Sequence, residues 1–393
     1  MKKNKFFKKY NLAQDTISKK EIINLNKWLM QGNQLTKGKL TLQFEKKFSK
    51  YLNKKYSVFV NSGSSANLLM LSALIEGGKL KNKKAIVAAV SWVTTVTPFM
   101  QLNFDIDLCD CDVNNLGVDI NHFEYLCKKN KPSVAIIVNV LGHPNDIHKI
   151  KKICKKYNVI LLEDSCEALG TTLGSKKIGT HGLASSFSFY YGHHISTIEG
   201  GMVTTDDFDF YNVMLSIRSH GWSRDIAKSK KKKLLKKYKV DEFRDLYTFY
   251  YSGYNLRSTD LNAFLGLGQL KKINKISQVR YNNFLSYKEN LKNFWYQGSL
   301  SNFISSFAYG TLVKNRMEVY KYLKKFNIET RPLICGNIGR HPFWTKKNGS
   351  SILINADIVH EYGLYLPNHY NLKKEDILFI CQKFNEIAVP KFF

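Results

Sequence analysis

Ser133-Val134-Ala135-Ile136-Ile137-Val138-Asn139-Val140, then the amphipathic run Asp146–Tyr157, then Val159-Ile160-Leu161-Leu162-Glu163-Asp164, reads as strand, helix and strand. Working outward, the same alternation recurs. Short β-rich runs stand at Ser57–Val60, Ala85–Ala89, Ile106–Cys109, Val134–Val140, Val159–Glu163, Ser185–Phe189 and Gly201–Thr204, and helical stretches such as Ala66–Ile75 and Asn121–Lys129 lie between them. Alternation of this kind predicts an α/β fold, a mostly parallel sheet with helices on both faces. Ligands of such sheets bind at the carboxyl ends of the strands. Beyond about Asp241 the pattern turns helix-rich, and the chain after Ile304 reads as a smaller α+β unit, with a boundary near Thr248.

Composition narrows the classes. At 393 residues, with 44% hydrophobic and 13% aromatic content, the chain is long enough for one large and one smaller domain, each with a core. The formal charge of +29 invites a nucleic-acid or anionic-membrane reading. Its basic residues are spread along the chain and no reader motif accompanies them, so no nucleic-acid partner is expected. The run Lys228–Lys239 holds eight lysines and reads as a solvated helix or loop. Seven cysteines, with no CxxC spacing, argue against a disulfide or zinc framework and for a reducing compartment. Met1–Tyr10 is basic but precedes no apolar signal segment, and the uncharged stretch Ala85–Leu102, broken by Ser91, three threonines and Pro98, reads as strand, loop and helix rather than a membrane span. The expectation is a cytoplasmic protein without a membrane partner.

Three strand ends carry chemistry. Asn61-Ser62-Gly63-Ser64-Ser65-Ala66-Asn67 follows a strand and opens a helix. Small residues let the backbone approach closely, and the free N–H groups of a helix start attract phosphate, although such turns also serve as plain caps. Asp164 stands after an apolar strand, where a carboxylate is costly unless paired; a protonated ring nitrogen is one partner and a helix cap the other reading. Ser185–Phe189 leads through Tyr190-Tyr191-Gly192 to His193-His194. The pair lacks the spacing of a metal site and no metal is expected, which leaves structural and catalytic readings open.

In combination and in order, these motifs resemble the DegT-type sugar aminotransferases, which are fold-type I enzymes of pyridoxal 5′-phosphate (PLP). Matching stretches run from Gln34-Leu35-Thr36-Lys37-Gly38 to Leu364-Tyr365-Leu366-Pro367. The resemblance implies a seven-stranded sheet in a large PLP-binding domain with an N-terminal helical arm (1–247) and a small C-terminal domain (248–393). It further implies that Gly63, Ser64, Ser65 and Ser188 hold the cofactor's phosphate, that Trp92 stacks on its ring, that Asp164 meets the ring nitrogen and that Glu167 reaches the ring hydroxyl. Asn255, in Tyr254-Asn255-Leu256-Arg257, matches a segment that reaches the neighbouring subunit's site, implying a homodimer with shared active sites.

One departure decides the chemistry. Where the family places lysine after Phe-Ser-Phe-Tyr-Pro-Thr, this chain has His193. A primary amine condenses with the cofactor's aldehyde; an imidazole cannot, because neither ring nitrogen carries two replaceable hydrogens. What it retains is proton transfer near neutral pH. Histidine-bearing branches of the family remove the C3 hydroxyl of a nucleotide-linked 4-keto sugar. One branch adds an iron–sulfur cluster held by four cysteines after the histidine, and no cysteine lies between Cys166 and Cys335 here, so no iron–sulfur cluster is expected. The other matches Tyr190–Gly201 and Ser219-His220-Gly221-Trp222-Ser223-Arg224-Asp225. It implies a 3-dehydratase using PLP and its amine form, pyridoxamine 5′-phosphate (PMP), on a GDP-linked 4-keto-6-deoxymannose, with L-glutamate as amino donor and ammonia released. Leu35, Thr36, Lys37, Gly38, His220, Arg224, Glu329 and Arg331 are then substrate-binding candidates, with His220, Arg224 and Arg331 the ones to grip glutamate or the sugar diphosphate. Beside this stand a lysine-dependent aminotransferase and a non-catalytic PLP-binding regulator.

Overall fold

The computed structural model describes residues 8–393, so most of the basic leader at Met1–Tyr10 lies outside the described residues. Seven strands form the central sheet: β1 (Tyr56–Val60), β2 (Lys84–Ala88), β3 (Asp105–Cys109), β4 (Val134–Val138), β5 (Ile160–Asp164), β6 (Ala184–Ser188) and β7 (Gly201–Thr205). Their order is β1-β7-β6-β5-β4-β2-β3. β7 runs antiparallel to both its neighbours, and the other contacts are parallel. All seven expected runs are strands, displaced by one or two residues at their ends.

Two displacements bear on the site. Asp164 is the last residue of β5 rather than a residue beyond it, in register between Val138 and Ser186. The helix after β1 starts at Gly63, three residues before its apolar run, because the Ser62 hydroxyl accepts from the Ser65 amide and caps it. Periodicity locates a helix by its buried face; the polar first turn carries no such signal.

The stretch Ala85–Leu102 divides into β2 and the helix Val93–Gln101. Among the described residues no helix is long and apolar enough to cross a membrane. The lysine run forms the helix Lys228–Tyr238, which has no buried residue.

The main core gathers the strands and the helices Gly63–Glu76, Ile120–Asn130 and Ile147–Tyr157. A second core collects Phe284, Tyr287, Tyr309, Leu323, Leu366 and Phe384 around the three-stranded sheet β8 (Tyr309–Leu312), β9 (Arg331–Pro332) and β10 (Gly363–Leu366), ordered β8-β10-β9. The long helix Ile273–Asn290 serves both sides: Ile273 and Ile276 pack with Phe44, Phe48 and Phe189, whereas Phe284 and Tyr287 lie in the second core.

Candidate active site

The carboxyl ends of β1, β5 and β6 and the segment after β2 meet in one region, joined by hydrogen bonds. At its centre lies Asp164, 5% exposed. Its Oδ2 accepts from Asn67 Nδ2 and Thr95 Oγ1, each at 2.8 Å, and its Oδ1 accepts from the Cys166 amide at 3.1 Å. Asn67 is itself oriented by the Ser186 hydroxyl, which donates to Asn67 Oδ1 at 2.6 Å. These donors are neutral, and among the described residues no lysine or arginine pairs with Asp164. A buried carboxylate supported in this way suits a cationic group brought by a ligand.

Beside that centre, the helix Gly63–Glu76 presents its first turn. The amides of Gly63 and Ser64 have no partner within the helix, as the geometry of any helix start requires. Ser64 Oγ donates to Thr94 Oγ1 at 3.1 Å, which ties this turn to the segment carrying Trp92. Ser188 closes the other side. A Cβ at position 63 would lie 2.6 Å from Ser188 Cβ and 3.1 Å from Cys166 Sγ, so glycine is required by close approach. The result is a small concave cradle of amides and hydroxyls, the donor set for a phosphate. Trp92 caps the next helix with its indole 54% exposed, an open aromatic face at the same strand ends. The Cys335 thiol donates to the Ser91 carbonyl behind it at 2.7 Å.

His193 occupies the turn after β6. Its Nδ1 lies 2.9 Å from the Cys166 carbonyl oxygen, which can only accept. Nδ1 therefore carries the proton, and Nε2 of the neutral ring has a free lone pair. The Phe307 ring packs on the imidazole at 5.0 Å and Tyr190 at 6.2 Å, edge-on. Burial pushes the imidazole down to about 4; the Arg280 charge adds to this, while the Cys166 carbonyl and Asp164 oppose it. Gly192 sits at φ +86°, where a Cβ would fall 2.5 Å from that of Ala13, so the turn into His193 requires glycine. Glu167, half-buried, accepts the Leu141 amide at 2.9 Å. Burial pushes its carboxyl up to about 7, against that hydrogen bond and with help from the Asp164 charge.

Gly63, Ser64, Ser65, Trp92, Asp164, Glu167, Ser188 and His193 are thus brought to one place. Arg331 joins from the smaller sheet: it pairs with Tyr365 in register, and the Tyr365 phenol feels both Glu167 and Arg331. Glu329 lies 3.5 Å from Arg331 and also accepts the Leu12 amide at 2.9 Å. The remaining candidates gather elsewhere, beyond the end of β1. Asn255 is exposed and bridges to Ser219, and the His220 amide donates to the Tyr254 carbonyl at 2.8 Å. Arg224 stacks over Trp222 at 4.0 Å. The loop Leu35–Gly38 is held by Asp260, which accepts the Gly38 amide at 2.8 Å, and by Lys37 on Asp225 at 3.0 Å; Leu35 and Thr36 supply carbonyls to the Asp260 amide. Among the described residues no hydrogen bond or ion pair joins this second set to Asp164, Glu167 or His193.

Sequence reasoning overlooked Asn67, Thr95, Ser186, Phe307 and Arg280. Asn67 had a signal, since it lies four residues after Gly63 on the same helix face. Arg280 had none: 87 residues separate it from the His193 carbonyl it approaches.

Comparison with known proteins agrees with this geometry. The DegT/DnrJ/EryC1/StrS aminotransferase family matches over residues 16–385. The chain is 34% identical over 373 residues to GDP-4-keto-6-deoxy-D-mannose 3-dehydratase of Yersinia pseudotuberculosis, spanning 92% of this chain and 94% of that protein. A crystal structure of GDP-4-keto-6-deoxymannose-3-dehydratase with a trapped PLP-glutamate geminal diamine is similar at a TM-score of 0.88 and 32% identity, covering 95% of this chain and 99% of that one. The Escherichia coli enzyme with bound hydrated PLP is similar at 0.87 and 32%, covering 95% and 98%. The family match spans nearly the whole length and includes each of the strand ends just described, and the chain belongs to the DegT/DnrJ/EryC1/StrS aminotransferase family.

Proposed function

We propose that the chain is a PLP/PMP-dependent 3-dehydratase of a nucleotide-linked 4-keto-6-deoxyhexose, with GDP-4-keto-6-deoxymannose as substrate, L-glutamate as amino donor and reductant, and 2-oxoglutarate, ammonia and a 3,6-dideoxy-4-keto sugar as products. The observation that carries it is an imidazole in place of the tethering lysine, with Nδ1 fixed by the Cys166 carbonyl and Nε2 bare. The residues present fit the cofactor. The Gly63–Ser65 turn and Ser188 form a cradle that a single Cβ would fill, and Asp164 is a buried carboxylate with neutral neighbours.

When bound, the cofactor supplies an amine for the sugar ketone and a conjugated ring that withdraws electrons. Everything else falls to the chain. Ser64, Ser65, Ser188 and the free helix amides bind the phosphate. Asp164, held in place by Asn67 and Thr95, would keep a proton on the ring nitrogen. Trp92 would stack on the ring, and Glu167 would serve its hydroxyl. His193 takes up a proton at Nε2 and delivers it to the C3 hydroxyl, which departs as water. Acid/base help of this kind is worth about 10²–10⁴-fold in rate. Arg331, held by Glu329 at 3.5 Å, grips the incoming carboxylate or diphosphate. Asn255, His220, Arg224 and the Leu35–Gly38 loop lie apart from Asp164 within one chain, which supports their serving the site of a second copy in a homodimer.

The deciding experiment incubates the protein with PLP, L-glutamate and GDP-4-keto-6-deoxymannose. Ammonia and a 3-deoxy product are expected. A stable 4-amino sugar, or a borohydride-fixed adduct between PLP and any side chain, overturns the reading in favour of an aminotransferase.

A further inference from the structure

Arg280 projects from the helix Ile273–Asn290 into the interior with 1% exposure. Its Nη1 donates to the carbonyls of Phe307 at 2.8 Å, Ser306 at 3.5 Å and Asn368, and its Nη2 to those of Gly192 at 3.3 Å and His193 at 3.5 Å. Among the described residues no carboxylate pairs with it, and burial alone draws the guanidinium down to about 9. A buried cation without a counter-ion costs stability, and an apolar side chain of similar length is the cheaper way to fill such a space. Packing therefore gives no reason for an arginine here. Its position gives one.

Resting on the reading of His193 as the acid/base group, we propose that Arg280 is a positioning residue for the elimination, its planar fork clamping the main chain of Gly192 and His193 to the Ser306–Phe307 and Asn368 segments and setting a fixed positive charge behind the imidazole. The clamp acts on orientation. With both carbonyls held, Nδ1 on the Cys166 carbonyl and Phe307 against the ring, Nε2 is left facing one way. The charge acts on protonation. Around the imidazole stand Asp164, Cys166 and, one residue further, Glu167 from the β5 side, Tyr190 and His194 from its own loop, and Arg280 from the helix. Burial is the main cause that keeps the ring neutral; Arg280 reinforces it and Asp164 opposes it. The same guanidinium lowers His194 and His369 after burial has done so, so one charge serves a cluster of neutral histidines. A neutral imidazole can accept a proton, and a charged one cannot.

The test compares the parent with Arg280→Met and Arg280→Lys. Histidine NMR of the cofactor-free proteins, with His193 assigned by its loss in His193→Asn, reads the ring's titration directly. Arg280→Met is expected to raise it by about one pH unit, and to move the acid limb of turnover the same way. Arg280→Lys keeps the charge but loses the fork; it should leave the titration low and cut kcat about tenfold with KM for the sugar unchanged. A folded Arg280→Met protein whose His193 titrates as in the parent overturns the proposal, and so does an Arg280→Lys protein with the parent's kcat, which decides the matter if the methionine variant fails to fold. Failure of the dehydratase reading would show separately, in the products formed by the parent, because the titration needs neither cofactor nor sugar.

Discussion

Arg218 and Arg280 are both shut away from water, but Arg218 meets two carboxylates where Arg280, among the described residues, meets main-chain carbonyls and the face of Phe307. Arg218 Nη1 lies 2.5 Å from Glu45 Oε1 and 3.0 Å from the Phe59 carbonyl, and its Nη2 lies 3.3 Å from Asp225. Burial works against that guanidinium, but Glu45 and Asp225 outweigh it and hold it charged. Around β1, then, charge is neutralised within the chain, and the cluster is scaffold. At the strand ends, Asp164 and Arg280 are served by neutral groups, and among the described residues neither has an opposite charge paired with it. Charges left open in this way cost stability that the fold could have kept, and they concentrate where chemistry is done.

The contrast can be broken most directly through His193. Replacing it by asparagine should lower turnover about 10²–10⁴-fold, while the denaturation midpoint shifts little and PLP still binds. A variant that loses its fold along with its activity places His193 with the scaffold instead. Next in size is a pair of substitutions read by urea unfolding without cofactor. Arg218→Met strands Glu45 in the interior and is expected to cost about 3–5 kcal/mol. Asp164→Asn removes a charge that no described residue neutralises; it should cost less than about 1 kcal/mol, yet weaken PLP binding roughly 10–100-fold through loss of one charge-assisted contact. Equal destabilisation by both would erase the distinction between scaffold and site charges.

A smaller effect sharpens the comparison through pH. Glu167 is pushed up to about 7, so the folded chain holds its proton more tightly than the unfolded one. That contribution is full below the ordinary carboxyl range and is lost as pH rises towards about 7. His193, pushed down to about 4, behaves oppositely: its contribution is full above the ordinary imidazole range and is lost as pH falls towards about 4. The two offset each other between these limits. Glu167→Gln removes one side of the balance, and the variant's stability should decline less, or rise, from pH 5 to 7 where the parent's is flatter or falling. Unfolding midpoints measured across that range check it, and identical slopes in parent and variant count against a Glu167 that keeps its proton.

Much of this was legible in the residues. The strand–helix alternation identified the sheet to within a residue or two at each strand, because burial of successive elements imposes a local period. The cradle was legible because Gly63 and the serines around it do their work within one turn of chain. The substitution at position 193 announced a change of chemistry outright, since no arrangement of neighbours gives an imidazole two replaceable hydrogens on one nitrogen. Glu163 and Asp164 show where such reading stops. They are adjacent carboxylates at the end of one strand, yet Glu163 accepts the amides of Gly179, His181 and Gly182 on one face of the sheet, and Asp164 turns to the site on the other. Composition treats them alike.

By itself, then, the order of amino acids determined which elements form, which strand ends hold small or acidic residues and which side chain has lost the capacity to tether a cofactor. Tertiary structure alone decided which carboxylate is open to a ligand, which imidazole nitrogen is bare and which arginine stands behind it. The physical reason is distance along the chain: backbone periods and caps act over a few residues, whereas desolvation and unpaired charge depend on groups such as His193 and Arg280, 87 residues apart, that only folding brings together.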